Sequence, residues 1–214
     1  MNPSHTFIRE ALRPERWQRM QRVLDSRLGS VRVAVENVHD PHNLSAVLRS
    51  AEALGVQHVH VVEAASGFSL SRRITRGAHK WLTVHRHRDF VECAGALREA
   101  GFRIFAAMLQ PGAIPLEEVP VTEPVALLLG NEHDGVSAEA AAACDGCYTI
   151  PMAGFVQSFN ISVAAAVSLY SVTTRARALR TDGGLLSECE RQTVLENWLP
   201  KSLRCGRRAT RTPG

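Results

Sequence analysis

The sequence predicts an α/β domain in which a mostly parallel sheet is covered by helices on both faces. Three observations carry this reading. Short apolar runs of strand length recur through the middle of the chain, segments with helical apolar spacing separate them, and Gly55 and Gly101 close two of those segments. At 214 residues with 45% hydrophobic side chains, the chain can bury a core without metal or disulfide staples.

Residues 1–30 read as an amphipathic basic helix or pair of helices. Ile8, Leu12, Met20, Leu24 and Leu28 recur at multiples of four, arginines fill much of the remainder, and Pro14 breaks or restarts the helix. Val31, Val33 and Val35 then alternate as a strand. After a turn at Asp40–Asn43, the stripe Leu44, Val47, Leu48, Ala51 and Leu54 forms a helix, for which Asn43 or Ser45 is the expected cap. Strands follow at His58–Val62 and Leu82–His85, a helix at Phe90–Ala100 and a strand at Phe102–Met108. The segment 110–124 carries Pro111, Pro115, Pro120 and Pro124 and is expected to be a loop. Val125–Leu129 is a buried strand, Gly130–Gly135 a polar loop, Ser137–Ala143 a short helix and Tyr148–Ile150 a last strand. A long helix from Asn160 to Leu179 is apolar on nearly every side, which suits either a subunit interface or burial within the domain. After Gly183 and Gly184 one more helix runs through Trp198, and Arg204–Gly214 is expected to be disordered. The expected division is a basic helical extension at 1–30, an α/β domain at 31–180 and a helical, basic extension at 181–214.

Composition excludes several classes. No apolar run approaches the roughly 18 residues of a membrane span, since Ser162, Ser168 and Ser171 interrupt the best candidate. The charged first 30 residues do not resemble a secretory signal, so a cytoplasmic location is expected. Five cysteines are expected to be reduced thiols, and the Cys144/Cys147 pair lacks a second pair or nearby histidine to complete a zinc site, so no metal is expected. The formal charge of +4 is unevenly spread: residues 1–32 carry net +4, residues 33–174 net −5 and residues 175–214 net +5. Basic ends around an acidic centre suit a polyanionic partner.

Neither a G-x-G-x-x-G nor a P-loop fingerprint is present. Parallel sheets bind ligands at the carboxyl ends of their strands, and three loops there are rich in polar groups. The first is Glu36-Asn37-Val38-His39-Asp40-Pro41-His42-Asn43, leading to Arg49, whose five-donor fork can clamp phosphate or pair with Glu36 or Glu52. The second is Gly130-Asn131-Glu132-His133-Asp134-Gly135. The third runs from Ile150-Pro151-Met152-Ala153-Gly154 to Ser158-Phe159-Asn160 and Ser162.

These three strings, with Val156-Gln157-Ser158-Phe159-Asn160-Ile161-Ser162-Val163-Ala164 completing the last, resemble the signature motifs of the SpoU branch of the knotted SPOUT RNA methyltransferases. The likeness is greatest to members that methylate the ribose of guanosine 18 in the D-loop of tRNA. Gly77-Ala78-His79-Lys80-Trp81 and the Arg175/Arg177 pair extend it. The resemblance implies a carboxyl-terminal trefoil knot, a homodimer and S-adenosylmethionine as cofactor. It implies catalytic roles for Arg49, Asn43, Glu132, Ser158 and Asn160. Cofactor contacts fall to Leu129, Gly130, Asn131, Gly135, Ile150, Met152, Gly154, Ser158, Asn160 and Ser162. Arg9, Arg13, Arg16 and Arg19, and Arg175, Arg177 and Arg180, become the expected tRNA contacts, with neither DNA nor membrane as partner. His39, His42 and His133 receive no fixed role. Methylation of another tRNA position or of ribosomal RNA, and RNA binding without catalysis, are the competing expectations.

Overall fold

The structure is a computed structural model that describes residues 3–63 and 78–206, with side chains for 7–63 and 79–202. It divides into two compact units, Leu28–Leu185 and the described parts of Met1–Arg27 and Leu186–Gly214.

The larger unit is built on a seven-stranded sheet. Its strands are β1 (Leu28–Glu36), β2 (Val56–Val62), β3 (Thr83–His87), β4 (Arg103–Ala107), β5 (Ile114–Pro115), β6 (Val125–Leu129) and β7 (Gly146–Thr149). The order is β3-β2-β1-β6-β4-β7-β5, and every pairing is parallel. Alternation along the strands feeds two cores. Val31, Val33 and Val35 pack with α3 (Pro41–Ala53) and α6 (Ile161–Leu179) on one face, while Ala34, Ile104, Ala106 and Leu128 pack with α4 (Phe90–Glu99) and α5 (Ala138–Ala142) on the other.

Several boundaries differ from those expected. Leu28 opens β1 rather than ending a helix: the chain leaves the helix at Ser26, whose hydroxyl donates to Val23 O at 2.8 Å, and Leu28 is fully buried beside Val56. Its spacing from Leu24 fits a helical stripe by coincidence. The proline-rich segment is not all loop. Ile114–Pro115 pairs with β7 as the outermost strand, where a proline without an N–H is tolerated, and a 3₁₀ turn follows at Leu116–Glu118. Asp40, rather than Asn43 or Ser45, caps α3, accepting from His42 N at 2.8 Å with Pro41 in the first turn. That relieves Asn43 of a capping role.

The second unit contains α1 (Pro3–Glu10), α2 (Pro14–Asp25) and α7 (Glu188–Gly206). Arg191 binds Asp25 at 2.7 Å and Gln21 at 2.8 Å, and buried Arg27 lies over the Trp198 ring. The expected disorder from Arg204 is displaced, because α7 continues through Gly206. Residues 207–214 lie outside the described part, as does Gly77. No helix among the described residues is long and apolar enough to cross a membrane.

On the α4 side of the sheet, β2 and β3 carry His58, His60, His85 and His87. The His60 ring stacks on His85 at 4.5 Å and on His87 at 5.1 Å between centroids. Burial, reinforced by His85 and Arg32, pushes the pKa of His60 down to about 2, so the ring is neutral.

Candidate active site

All strands run the same way, so the loops after β1, β6 and β7 emerge at one edge of the sheet, as do the amino ends of α3, α5 and α6. Each loop is shaped by its own short-range hydrogen bonds. After β1, Asn37 adopts φ 49°, a left-handed conformation that asparagine accepts better than most residues, and its N–H donates to Val62 O at 3.0 Å. After β6, the Asn131 side-chain oxygen accepts from the N–H groups of His133 and Asp134 at 2.8 and 2.7 Å, and Asn131 N donates to Gly135 O at 3.0 Å. A Cβ on Gly130 would collide with the backbone of Gly135 and Val136, so only glycine lets the loop fold this closely. Buried Glu36 pins the far end of this loop, accepting from Ser137 N at 2.9 Å and from its hydroxyl at 2.7 Å. This removes Glu36 as an ion-pair partner for Arg49.

Longer-range bonds then join the three loops. Asn43 Nδ2 donates to Glu132 Oε1 at 2.7 Å, while the backbone N–H groups of His39 and Asp40 donate to the same carboxylate at 3.2 and 3.3 Å. Asn160 Nδ2 donates to Asn43 Oδ1 at 3.2 Å. Asn160 Oδ1 in turn accepts from Ser162 N at 2.8 Å and from its hydroxyl at 2.6 Å, capping α6. Partial burial acts to raise the pKa of Glu132, but the Asn43 bond and the backbone N–H groups outweigh it and hold the carboxyl below its ordinary range. Glu132 is therefore an ionised hinge-pin between loops, with its lone pairs committed to donors, and is poorly suited to accept a proton.

Beside this network lies a cavity of about 520 Å³, a size typical of small-molecule sites. Leu129, Gly130, Asn131, Glu132, Gly135, Ile150, Met152, Ser158 and Asn160 line it, nine of the residues singled out from sequence. Gly154 and Ser162 are not in its wall, and Ser162 acts through Asn160. The cavity also uses Ala107, Met108 and Leu109 at the end of β4, which the motif reading missed. Their position at a strand's carboxyl end was the available signal, but their apolar side chains did not stand out as a site. Among the described residues no lysine or arginine lines the cavity, whereas Glu132 and Asp134 do. It is thus electrostatically suited to a cationic guest.

Arg49 lies outside the cavity wall, exposed on α3 two turns beyond His42 and on the same helical face. Arg9, Arg13 and Arg19 are exposed, Arg16 is half-buried, and Arg9 lies over Trp17 at 5.2 Å. The three carboxyl-terminal arginines, expected to face phosphate, are engaged internally. Arg175 donates to Val119 O at 2.7 Å and Leu116 O at 3.0 Å, Arg177 to Leu54 O at 3.3 Å, and Arg180 to Thr122 O at 2.9 Å and to Asp182. Burial lowers the pKa of both Arg175 and Arg177. In this structure these arginines satisfy carbonyls beside α6, a packing role that phosphate would have to displace.

The SpoU rRNA Methylase family pattern matches residues 30–170. A tRNA (guanosine(18)-2'-O)-methyltransferase of Thermus thermophilus is 42% identical over 187 residues, spanning 87% of this chain and 96% of the relative. The Escherichia coli protein of the same name is 35% identical, spanning 86% of this chain and 82% of the relative. Among solved structures, the TrmH/SpoU tRNA modifying enzyme of A. aeolicus superposes with a TM-score of 0.78 at 33% identity, covering 88% of this chain and 96% of that one. An AdoMet-bound rRNA methyltransferase from Sinorhizobium meliloti superposes with a TM-score of 0.63 at 28% identity, covering 72% of this chain and 60% of that one. With the pattern running from β1 into α6, and through all three interlocked loops, the chain belongs to the SpoU methylase family.

Proposed function

We propose that the protein transfers a methyl group from S-adenosylmethionine to the ribose 2'-hydroxyl of guanosine 18 in the D-loop of tRNA. The observation that carries methyl transfer is the closure of three signature loops around one cavity through the Glu132–Asn43–Asn160–Ser162 hydrogen bonds. The near-full-length similarity to enzymes named for guanosine 18 supports the substrate.

The cavity fits the cofactor chemically. Leu129, Ile150, Met152 and Ile161 offer apolar surface to an adenosine, and the side-chain-free Gly130 leaves backbone open to it. Acidic Glu132 and Asp134, with no lysine or arginine among the described residues of the wall, favour a sulfonium cation. When bound, that cofactor supplies an already activated methyl group. The protein's task is then to place a weak hydroxyl nucleophile in line and to exclude water. Ser158 and Asn160 stand at the mouth, where they orient the reacting nucleotide. Glu132 and Asn43 hold the loops in register. Arg49, with its five-donor fork, binds RNA phosphate and offsets the negative charge that develops on the hydroxyl oxygen.

The trefoil knot, the dimer and the location belong to the same reading. Residues 150–160 lead from β7, next to the sheet edge, to α6, which packs against the central strands β1 and β6, a route that supports a crossing of the β6 loop. A knot formed there would hold the cavity's two main loops against each other. Along α6, Val163, Val167 and Tyr170 are exposed at helical spacing, 45, 39 and 64% accessible, and this face is proposed to meet a second copy. The exposed arginines of α1 and α2 supply the phosphate grip, and the cytoplasm, where tRNA is available, is the proposed location.

The test is incubation of the purified protein with unmodified tRNA and methyl-labelled cofactor, followed by nucleoside mapping. Label on the ribose of guanosine 18 is expected. Transfer only to ribosomal RNA, to another tRNA position or to a base would overturn the assignment.

A further inference from the structure

Away from the cavity, three elements bring metal-binding side chains together. β2 supplies His60, β3 supplies His87 and α4 supplies Cys93, and one donor atom from each lies within 4.8 Å of the other two. His60 Nδ1 and His87 Nε2 are 2.9 Å apart and share a proton. The other nitrogen of His60, Nε2, is buried and has no hydrogen-bond partner, although the residue is only 1% exposed. Buried imidazole nitrogens are ordinarily paired. Cys93 is a fully buried free thiol directed into the same core as the histidine ladder.

We propose that His60, His87 and Cys93 form a binding site for a divalent transition metal of the zinc class. One thiolate and two neutral imidazoles are a donor set suited to that borderline ion. Bonds of about 2.0–2.1 Å to nitrogen and 2.3 Å to sulfur put the donors of a tetrahedral ion roughly 3.3–3.6 Å apart. The imidazole pair therefore has to open by only a few tenths of an ångström, and Cys93, whose sulfur lies within 4.8 Å of both rings' donors, has to move in by at most about an ångström. As the sulfur–metal bond forms, the thiol proton leaves Cys93 for water, and the proton shared by the rings moves to the unpaired Nε2 of His60 or to Nδ1 of His87, so His60 Nδ1 and His87 Nε2 bind the ion with both rings neutral. No electron is transferred.

Access comes from the sheet edge. β3 is the outermost strand on that side, and His87 is half-exposed, so a water can complete the fourth position from solvent. Glu92, next to Cys93, is exposed and bonded to Arg88 at 3.3 Å, which leaves it outside the donor set. None of the three ligands lines the cavity. The bound ion would tie edge strand β3 to β2 and α4, acting as a structural cross-link independent of methyl transfer.

The test uses the full chain, reduced and stripped with a chelator, titrated first with Co²⁺ and then with Zn²⁺. One Co²⁺ per chain is expected, with the visible absorption of a tetrahedral ion and a near-ultraviolet thiolate-to-cobalt charge-transfer band, both displaced by Zn²⁺. Cys93→Ser should remove the charge-transfer band, while Cys144→Ser should retain it. His87→Ala, at a half-exposed position the fold tolerates, should weaken Zn²⁺ binding tenfold or more and abolish the rise in Tm that Zn²⁺ gives the parent protein. A parent protein without that band, or a band unchanged in Cys93→Ser with Zn²⁺ binding unchanged in His87→Ala, would show a histidine ladder that holds no metal. Should Cys93→Ser fail to fold, the Zn²⁺ affinity of His87→Ala decides the matter.

Discussion

Arg49 and Glu132 are both charged residues of signature motifs, yet the structure gives them opposite surroundings. Arg49 is exposed and takes no part in the core, so Arg49→Ala is expected to lower turnover by about 10²–10³, the range for losing one group that stabilises developing charge. Circular dichroism and Tm should stay those of the parent, and an active variant would remove Arg49 from the mechanism. Glu132 acts through its neighbours. Its folded pKa lies below the ordinary carboxylate range, so its contribution to stability is complete above about pH 4.3 and is lost as pH falls through the folded value. Glu132→Gln keeps one accepting oxygen and replaces the other by a donor, so it cannot receive both the His39 N–H, which bonds to Oε2, and the Asp40 N–H, which bonds to Oε1. A fall of about tenfold in kcat/KM is expected, equivalent to one charge-assisted hydrogen bond at about 1.4 kcal/mol. A loss confined to kcat at saturating cofactor would instead make Glu132 a participant in the chemical step. The caps show how local chemistry is shared out. Asp40 and Asn160 occupy the caps of α3 and α6, and both reach a second loop, Asn160 through its side chain to Asn43 and Asp40 through its backbone N–H to Glu132.

The elements carry the site because their ends are pinned at close quarters. In the β6 loop, Gly130→Ala would drive a methyl group into the Gly135–Val136 backbone, which cannot yield as a side-chain tip does. A loss of about 3 kcal/mol or more is expected in urea unfolding, together with loss of cofactor binding. A variant of unchanged stability would mean that the loop opens easily. α6 has two sides with different duties. Ala165, Leu169, Val172 and Ala176 are buried in the core, while Val163, Val167 and Tyr170 are exposed. Val167→Arg should therefore leave the fold intact and shift sedimentation from dimer to monomer. If the variant and parent sediment alike, this face of α6 is not where a second copy binds. The apolar character of this helix was legible in the sequence, but which side met its own domain was not, since alanines and valines occur all round it.

Over the whole molecule, the charge distribution and the two-unit division describe the same chain differently. The basic ends of the sequence fall into one unit, the acidic middle into the other, apart from Arg32, Arg175, Arg177 and Arg180, which belong to the sheet-containing unit. Replacing Arg9, Arg13 and Arg19 by Gln should weaken tRNA binding and flatten the dependence of log Kd on log salt by about 0.7–0.9 for each phosphate left without its arginine. An unchanged slope would place the RNA grip elsewhere. Local patterns of residues were enough to establish the α/β class, most strand and helix positions, the signature loops and the family resemblance, because periodicity and turn chemistry act over a few residues. Folding was needed to bring Glu132 to Asn43 across 89 residues and Asn43 to Asn160 across 117. It also spent Arg175 and Arg177 on carbonyls, added Met108 after β4 to the cavity, and placed Cys93 beside His60 and His87. Strand order is the cause: β1 lies between β2 and β6, and β4 between β6 and β7, so side chains remote in sequence become neighbours through an arrangement that no local pattern of residues encodes.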